Sequence, residues 1–425
     1  MTSRTVLALS AALCVAGYIW VYGAGLAGDP IRSDGFSYYV YLPSWFLFQD
    51  TTLAAVARDC CGGQFPEWSA IIRWPGTRRW VNAHPIGVAV MQAPAFPLAH
   101  VLTKWTNLSP HGFSLYYQHA AGLAGLVWTV AGLAVLRRLL LRSFSDGVTA
   151  ATLVTLLFGT NLYHYATFDS TYSHPYSFFL FAAFLLLTAL WEERPATGRS
   201  VLLGGVAGLI VLVRHTNALF LVVFPLYVLV ARRTPLARAT PQAVLIALVA
   251  AMVIAPQLLL YYQATGQPIV SAYGNLGFNW TEPQLFGVLF GTQKGLFFWS
   301  PLLLISAAGL GVFARSPRPD AGFVLPGILF LAVNTYLIAS WWDWQFGGSY
   351  GHRGYVDALP IFALGLAGAL DWTARRGAST RRAVALVVVL LSALSVFQML
   401  QYWYGIIPFS DTTWSHYREV FLRWR

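Results

Sequence analysis

The stretch "HPIGVAVMQAPAFPLAHVLT", residues 84 to 103, is apolar enough to enter a membrane yet carries three prolines. Whether it crosses decides how every later segment is oriented. Of the 425 residues 57% are apolar and 10% charged, whereas soluble domains carry about 25% charged residues. The chain therefore belongs in a bilayer, and its length accommodates roughly ten helices of about 20 residues.

Apolar runs fit for spanning lie near residues 5–25, 114–136, 147–166, 175–191, 243–262, 296–314, 321–341, 356–370 and 383–403. A further run, 200–230, is interrupted by "RHTN" at Arg214 to Asn217 and reads as two short helices meeting at a polar turn. Suppose that 84–103 does not cross and that the N-terminus is cytoplasmic. Then Arg4 and the loops "RRLLLRSFSD", "EERPATGR", "ARRTPLARATPQ", "RSPRPD" and "DWTARRGASTRR" all face the cytoplasm. They concentrate roughly 15 basic residues in about 50 positions, as the positive-inside rule requires. Were 84–103 to cross, "RRLLLR" would move outside and the bias would largely vanish.

The expectation is an all-α polytopic membrane protein with about 11 crossings, in which 84–103 is an interfacial or half-buried helix. Residues 1–425 then form a single transmembrane domain. Residues 26–113 are its first extracytoplasmic loop with interfacial helices, 263–295 a second large outer loop, and 404–425 a short outer tail. The net charge of +11 becomes mostly an orientation signal, and nucleic acid is not expected as a partner, since no basic soluble face with stacking aromatics is present. Residues 1–25 read as an uncleaved anchor rather than a signal peptide. Cys14 reads as a small core residue, and Cys60 with Cys61 as two free thiols in preference to a vicinal disulfide. No internal repeat is visible, which weakens a transporter reading.

Polar and aromatic residues gather in the outer loops, so the working face is expected outside. Ionisable groups at membrane depth are costly and usually line a cavity or pair with something. Several collect at the outer helix ends. Asp34 follows the first helix in "GDPIRSDGFSYYVYLPSWFLFQD", and "TFDSTYSHPYSF" supplies Asp169 and His174. Arg214 and His215 sit at the helix break, "GTQKGLFFWSP" brings Lys294, and "WWDWQFGGSYGHRGYVDALP" brings Asp343, His352, Arg353 and Asp357. One acid and several cations at one depth suit a lipid-linked phosphate, because arginine offers phosphate a planar fork of donors and lysine a point charge. The glycines around Arg353 allow a head group close approach. Transfer of a sugar from polyprenyl phosphate to a hydroxyl needs one base for the acceptor proton and cations for the leaving phosphate. Glycoside hydrolysis differs in calling for a second carboxyl as acid.

The order of parts resembles the GT-C superfamily of polytopic glycosyltransferases, in particular the bacterial branch of protein mannosyltransferases and aminoarabinose transferases. An acid follows the first helix in "RSDGFSYYVYLPS", the interfacial "HPIGVAVMQAPAF" precedes the second crossing, and "FDSTYSHPYSFF" follows the third. Then come "LVRHTNAL", "GLFFWSPLLL" and "FGGSYGHRGYVDALP", the last similar to the family's arginine-containing loop. The resemblance spans most of residues 1–370. It implies an integral-membrane enzyme of the bacterial inner membrane that moves a sugar, with inversion, from an undecaprenyl-phosphate donor to a hydroxyl of a glycan, lipid or protein on the extracytoplasmic face. It further implies Asp34 as catalytic base and Arg353, Lys294 and Arg214 as ligands of the lipid phosphate, with His352 and Tyr350 beside them. Two features depart from some relatives: the paired Asp-Glu that several carry after the first helix is absent, and no large soluble domain like that of the oligosaccharyltransferases is expected after the last helix.

Each assignment has a structural counterpart. Asp34 and Ser33 suit a helix cap, Arg353 suits an ion pair with Asp357 or Asp343, Lys294 suits snorkelling, and Arg214 suits satisfaction of freed backbone at the break. Asp169, His174, Asp343, Asp357 and His84 are secondary candidates. Tyr38 and Tyr39 belong to an aromatic set that fits an interfacial belt or sugar stacking. Asp34, Asp169 and His174 together suit a divalent metal such as Mn2+ or Mg2+, but no tight acidic spacing supports one and no cofactor is expected. A flippase for a lipid-linked sugar, or a glycan ligase or polymerase, remains the alternative to a transferase.

Overall fold

A computed structural model describes residues 1–231, 235–270 and 276–424, so parts of the basic loop 231–242 and of the outer loop 263–295 lie outside the described residues. Every apolar run expected to span is helical. Among the described residues six helices are long and apolar enough to cross a membrane, including Ser3–Gly23, Leu115–Leu140, His174–Glu193 and Ala378–Trp403. Five shorter ones, Asp146–Phe158, Thr197–Val213, His215–Ala231, Leu302–Ala314 and Leu359–Ala374, make up the rest of the expected set. Residues 84–103 do not form one long helix. Gly87–Gln92 passes through a 3-10 turn at Ala93–Ala95 into Phe96–Trp105, because Pro94 and Pro97 lack the N–H that an unbroken helix needs.

Small residues set the closest packing. Helix Leu302–Ala314 meets Leu359–Ala374 where Gly309 abuts the Gly365 backbone. Thr197–Val213 meets Leu236–Thr265 where Gly204 and Gly208 face Val249 and Val253. A Cβ at any of these glycines would collide with its neighbour, so backbones approach there as they do in small-xxx-small contacts between membrane helices. The large aromatics Trp191, Tyr165, Tyr176 and Phe181 fill the interior between the helices.

The first outer loop has more structure than its sequence suggested. Short helices Asp34–Tyr39, Tyr41–Phe46 and Ala54–Cys61 precede a two-stranded hairpin, in which Ile71–Arg73 pairs antiparallel with Trp80–Asn82. Cys60 and Cys61 are disulfide-bonded to each other, which corrects the expectation of two free thiols. Cys14 is buried and free, as expected.

The opposite end of the bundle is tied by buried charge. Asp320, with no exposed surface, accepts from Arg142 at 3.1 Å and from the Ser143 hydroxyl at 2.8 Å, while Arg142 also reaches Glu193 at 2.8 Å. Breaking a buried pair by removing one partner costs about 3–5 kcal/mol, because the other charge stays buried. Asp320→Ala is therefore expected to lower the thermal unfolding midpoint of the detergent-solubilised protein clearly; an unchanged midpoint would show that Arg142 is satisfied without it.

Candidate active site

Asp34 is presented by a segment held from both sides. The Ile31 N–H donates to Gln118 Oε1 at 2.7 Å, and the Thr171 hydroxyl donates to the Pro30 carbonyl at 2.8 Å. Arg32 is fixed by Asp169 and by the Phe168 carbonyl, each at 2.8 Å. Ser33 then turns the chain at φ 47°, ψ −133°, a conformation unfavourable to a side-chain-bearing residue by about 1–3 kcal/mol. Gly35 packs directly on Thr171, where a side chain would not fit. Ser33 makes no capping hydrogen bond to the short helix that Asp34 begins. Instead Asp34 Oδ2 accepts from Arg353 Nη1 at 2.8 Å, across 319 residues of sequence.

Arg353 opens a 3-10 turn, Arg353–Tyr355, in the loop that precedes helix Leu359–Ala374. Its guanidinium carbon lies 5.6 Å from the centre of the Tyr172 ring. Positive φ at Phe346, Gly347 and Gly351 folds this loop back on itself. Beside the pair stands a second carboxylate. Asp357 accepts from His174 Nδ1 at 2.8 Å and Asn217 Nδ2 at 3.1 Å, and Arg214 Nη1 approaches it at 3.6 Å. Arg214 occupies the extended link between helices Thr197–Val213 and His215–Val222, where the "RHTN" break was expected. The His84 ring lies edge-on to Tyr38, 4.3 Å between centres, and its Nδ1 has no partner among the described residues.

Charge balance explains the protonation states. Burial alone would raise the Asp34 carboxyl, but Arg353, helped by Arg214, brings it below the usual carboxylate range. Burial works against the Arg353 cation, yet Asp34 more than compensates and keeps it charged. Burial pushes His84 down to about 4 despite Asp34, so its imidazole is neutral near pH 7. The result is a pre-ionised carboxylate on a guanidinium with 31% and 15% side-chain exposure respectively, open enough for a ligand to reach both.

Other expected residues lie elsewhere. Asp169 does not join Asp34: its two oxygens are taken by Arg32 and by His164 Nε2 at 2.9 Å, and His164 Nδ1 accepts from the Trp403 indole at 2.9 Å. Burial would raise Asp169, but Arg32 and His164 bring it down to about 2. With His174 on Asp357, the three residues weighed for a metal do not share a site, and no cluster of three or more potential metal ligands occurs among the described residues. The Tyr350 hydroxyl donates to the Ser395 carbonyl at 2.8 Å, and Tyr39 donates to Gly112 at 2.6 Å, so both are engaged in packing. Asp343 accepts from the Gly347 N–H at 3.2 Å within its own turn. His352 is buried edge-on against Tyr355 and Phe346, and burial lowers it to about 3. Arg353 pairs with neither Asp357 nor Asp343.

Lys294 does something the sequence did not reveal. Its ammonium donates to the Ser349 carbonyl and, at 2.6 Å, to the Phe409 carbonyl, tying the arginine loop to the chain's last segment. Burial, with Arg353 nearby, lowers it to about 7 from an ordinary 10.5. The unfolded chain therefore binds more protons than the folded one between those values, and this group's contribution makes stability rise with pH across that window. Lys294→Met is expected to flatten the rise between pH 7 and 10 and to expose residues after Tyr404 to limited proteolysis. An unchanged pH profile and an unchanged digest would dismiss the tie.

Arg32, Asn217, His164 and Tyr172 are the contributors that sequence reading missed. Arg32 carried a signal, a cation two residues before the acid, that went unused.

No protein-family model matches the chain, and no curated protein matches it by sequence. Solved structures do. An oligosaccharyltransferase, AglB from Archaeoglobus fulgidus, solved with an inhibitory peptide and a dolichol-phosphate, superposes with a TM-score of 0.58 at 11% identity, over 93% of this chain and 55% of that one. ArnT from Cupriavidus metallidurans superposes with a TM-score of 0.55 at 15% identity, over 95% of this chain and 65% of that one. The chain thus spans between half and two thirds of these proteins' length and shares their membrane fold.

Proposed function

We propose that this chain is a GT-C-type integral-membrane glycosyltransferase that moves a sugar, with inversion, from a polyprenyl-phosphate donor, undecaprenyl phosphate in a bacterial inner membrane, to a hydroxyl acceptor. The observation that carries the reading is the Asp34–Arg353 contact at 2.8 Å, a base and a phosphate ligand in one pair. In the resting state each neutralises the other. A phosphate arriving at Arg353, with Arg214 beside it, replaces Asp34 as the guanidinium's anion and frees the carboxylate for the acceptor hydroxyl. Asp34 then accepts the hydroxyl proton as the oxygen attacks the anomeric carbon from the face opposite the phosphate. The departing phosphate is stabilised by the arginines and needs no proton. Asp357, held by His174 and Asn217, keeps Arg214 at the site without closing on it.

The positive-inside count supports a cytoplasmic N-terminus and an extracytoplasmic site, with loops 26–113 and 263–295 and the tail 404–425 on that face. The test is transfer from a panel of polyprenyl-phosphate sugars by the purified protein in nanodiscs, with the anomeric configuration of the product read by NMR. The expected result is turnover of one donor with inversion; retention of configuration, or no turnover of any donor by protein that binds the lipid, would reject the reading.

A further inference from the structure

On the far side of the strand that leads to His84 lies a cavity of about 280 Å3. Its walls include Tyr41, Thr52, Trp80 and Asn82 of the first outer loop, and Gln257 and Tyr261 of helix Leu236–Thr265. This volume sits at the lower end of ligand clefts, which run about 300–1,000 Å3, and it suits a small ligand. No lining residue is acidic and only Arg79, near the mouth, is basic. Three aromatic rings alternate with amides and hydroxyls. Such a lining matches a neutral molecule with apolar ring faces and hydroxyl edges, the chemistry of a saccharide.

An unused donor is buried behind the cavity wall. Gln257 is fully buried, and its Oε1 accepts from the Ile86 N–H at 2.9 Å, which fixes which way the amide points. Its Nε2 is left buried with no hydrogen-bond partner among the described residues. An unsatisfied buried donor costs about 1–3 kcal/mol. Neighbouring polar groups are already bonded to backbone: Tyr41 to the His84 carbonyl at 2.9 Å, Tyr261 to the Asn82 carbonyl at 3.2 Å, and Asn82 Nδ2 to the Ser37 carbonyl at 2.7 Å. One of these bonds leads toward the acid, since Tyr41 donates to the carbonyl of His84, whose ring packs on Tyr38 in the helix that Asp34 begins.

We propose that this cavity binds a neutral saccharide unit of the acceptor, with the aromatic walls covering the ring. The saccharide site stands on the cavity itself; its role as the acceptor site rests on the transferase reading. The full-length protein in nanodiscs, without donor, is titrated calorimetrically with a panel of neutral mono- to tetrasaccharides. Ala264→Trp and Thr51→Trp each fill the cavity with a bulky side chain.

Wild type is expected to bind at least one sugar, and each variant to weaken that binding at least about tenfold, with undecaprenyl-phosphate binding unchanged in both tryptophan variants. If no sugar of the panel binds, or if both tryptophan variants bind as wild type, the cavity is not a saccharide site. Sugar binding that follows the cavity variants in a protein that turns over no donor would support the site and remove only its role as acceptor site.

Discussion

Asp34→Asn is expected to lower glycosyl transfer by about 10²–10⁴-fold, the range that a positioned general base contributes, while undecaprenyl-phosphate binding persists. The substitution keeps the shape of the side chain and an oxygen for Arg353, so the segment pinned by Gln118, Thr171 and Asp169 has no reason to move. It removes the anion that competes for the guanidinium, so lipid-phosphate affinity should stay level or rise. Because Asp34 is held below the usual carboxylate range by Arg353 in the free enzyme, wild-type kcat/KM should be flat through neutral pH. It should fall only below the ordinary aspartate value of about 3.9, where the base becomes protonated. Transfer by Asp34→Asn within about threefold of wild type, a small change beside that range, would remove Asp34 from the chemistry.

Arg353→Ala is expected to have the opposite signature, loss of lipid-phosphate binding first and of transfer as a consequence. Truncating one member of a hydrogen-bonded charge pair costs about 2–5 kcal/mol at an interface. The stability loss should be smaller here, since Asp34 keeps 31% side-chain exposure and water can reach it. Arg353→Lys retains the charge but not the planar fork, so it should bind lipid phosphate between wild type and alanine. In the double variant with Asp34→Asn the stability cost of Arg353→Ala should largely disappear, since no carboxylate is left unpaired. Lipid binding by Arg353→Ala equal to wild type would move the phosphate to Arg214 or away from this cluster.

The architecture was legible where it depends on local composition. Apolar runs, the "RHTN" break and the prolines of 84–103 each appear as the helices, the extended Arg214 link and the interrupted helix that their chemistry dictates. The hairpin at 71–82 was not legible, because two three-residue strands have too short an alternation to stand out. Pairings were the least legible. Arg353 looked outward to Asp357 and Asp343 because they are near in sequence, whereas its partner is Asp34, 319 residues away. Asp34 was placed ahead of Asp169 by its position after the first helix, but what packs around each acid was not legible: Asp169 is saturated by Arg32 and His164, and Asp34 is partly exposed. Lys294 looked like a free cation because the backbone carbonyls that capture it come from two distant loops.

The central claim is that a lipid phosphate takes Arg353 and thereby releases Asp34. The most direct measurement is an electron cryomicroscopy structure of the wild-type chain in nanodiscs with undecaprenyl phosphate. The account predicts phosphate oxygens within hydrogen-bonding distance of the Arg353 guanidinium and an Asp34 carboxylate detached from it. A phosphate bound elsewhere, with the 2.8 Å Asp34–Arg353 contact intact, would contradict it.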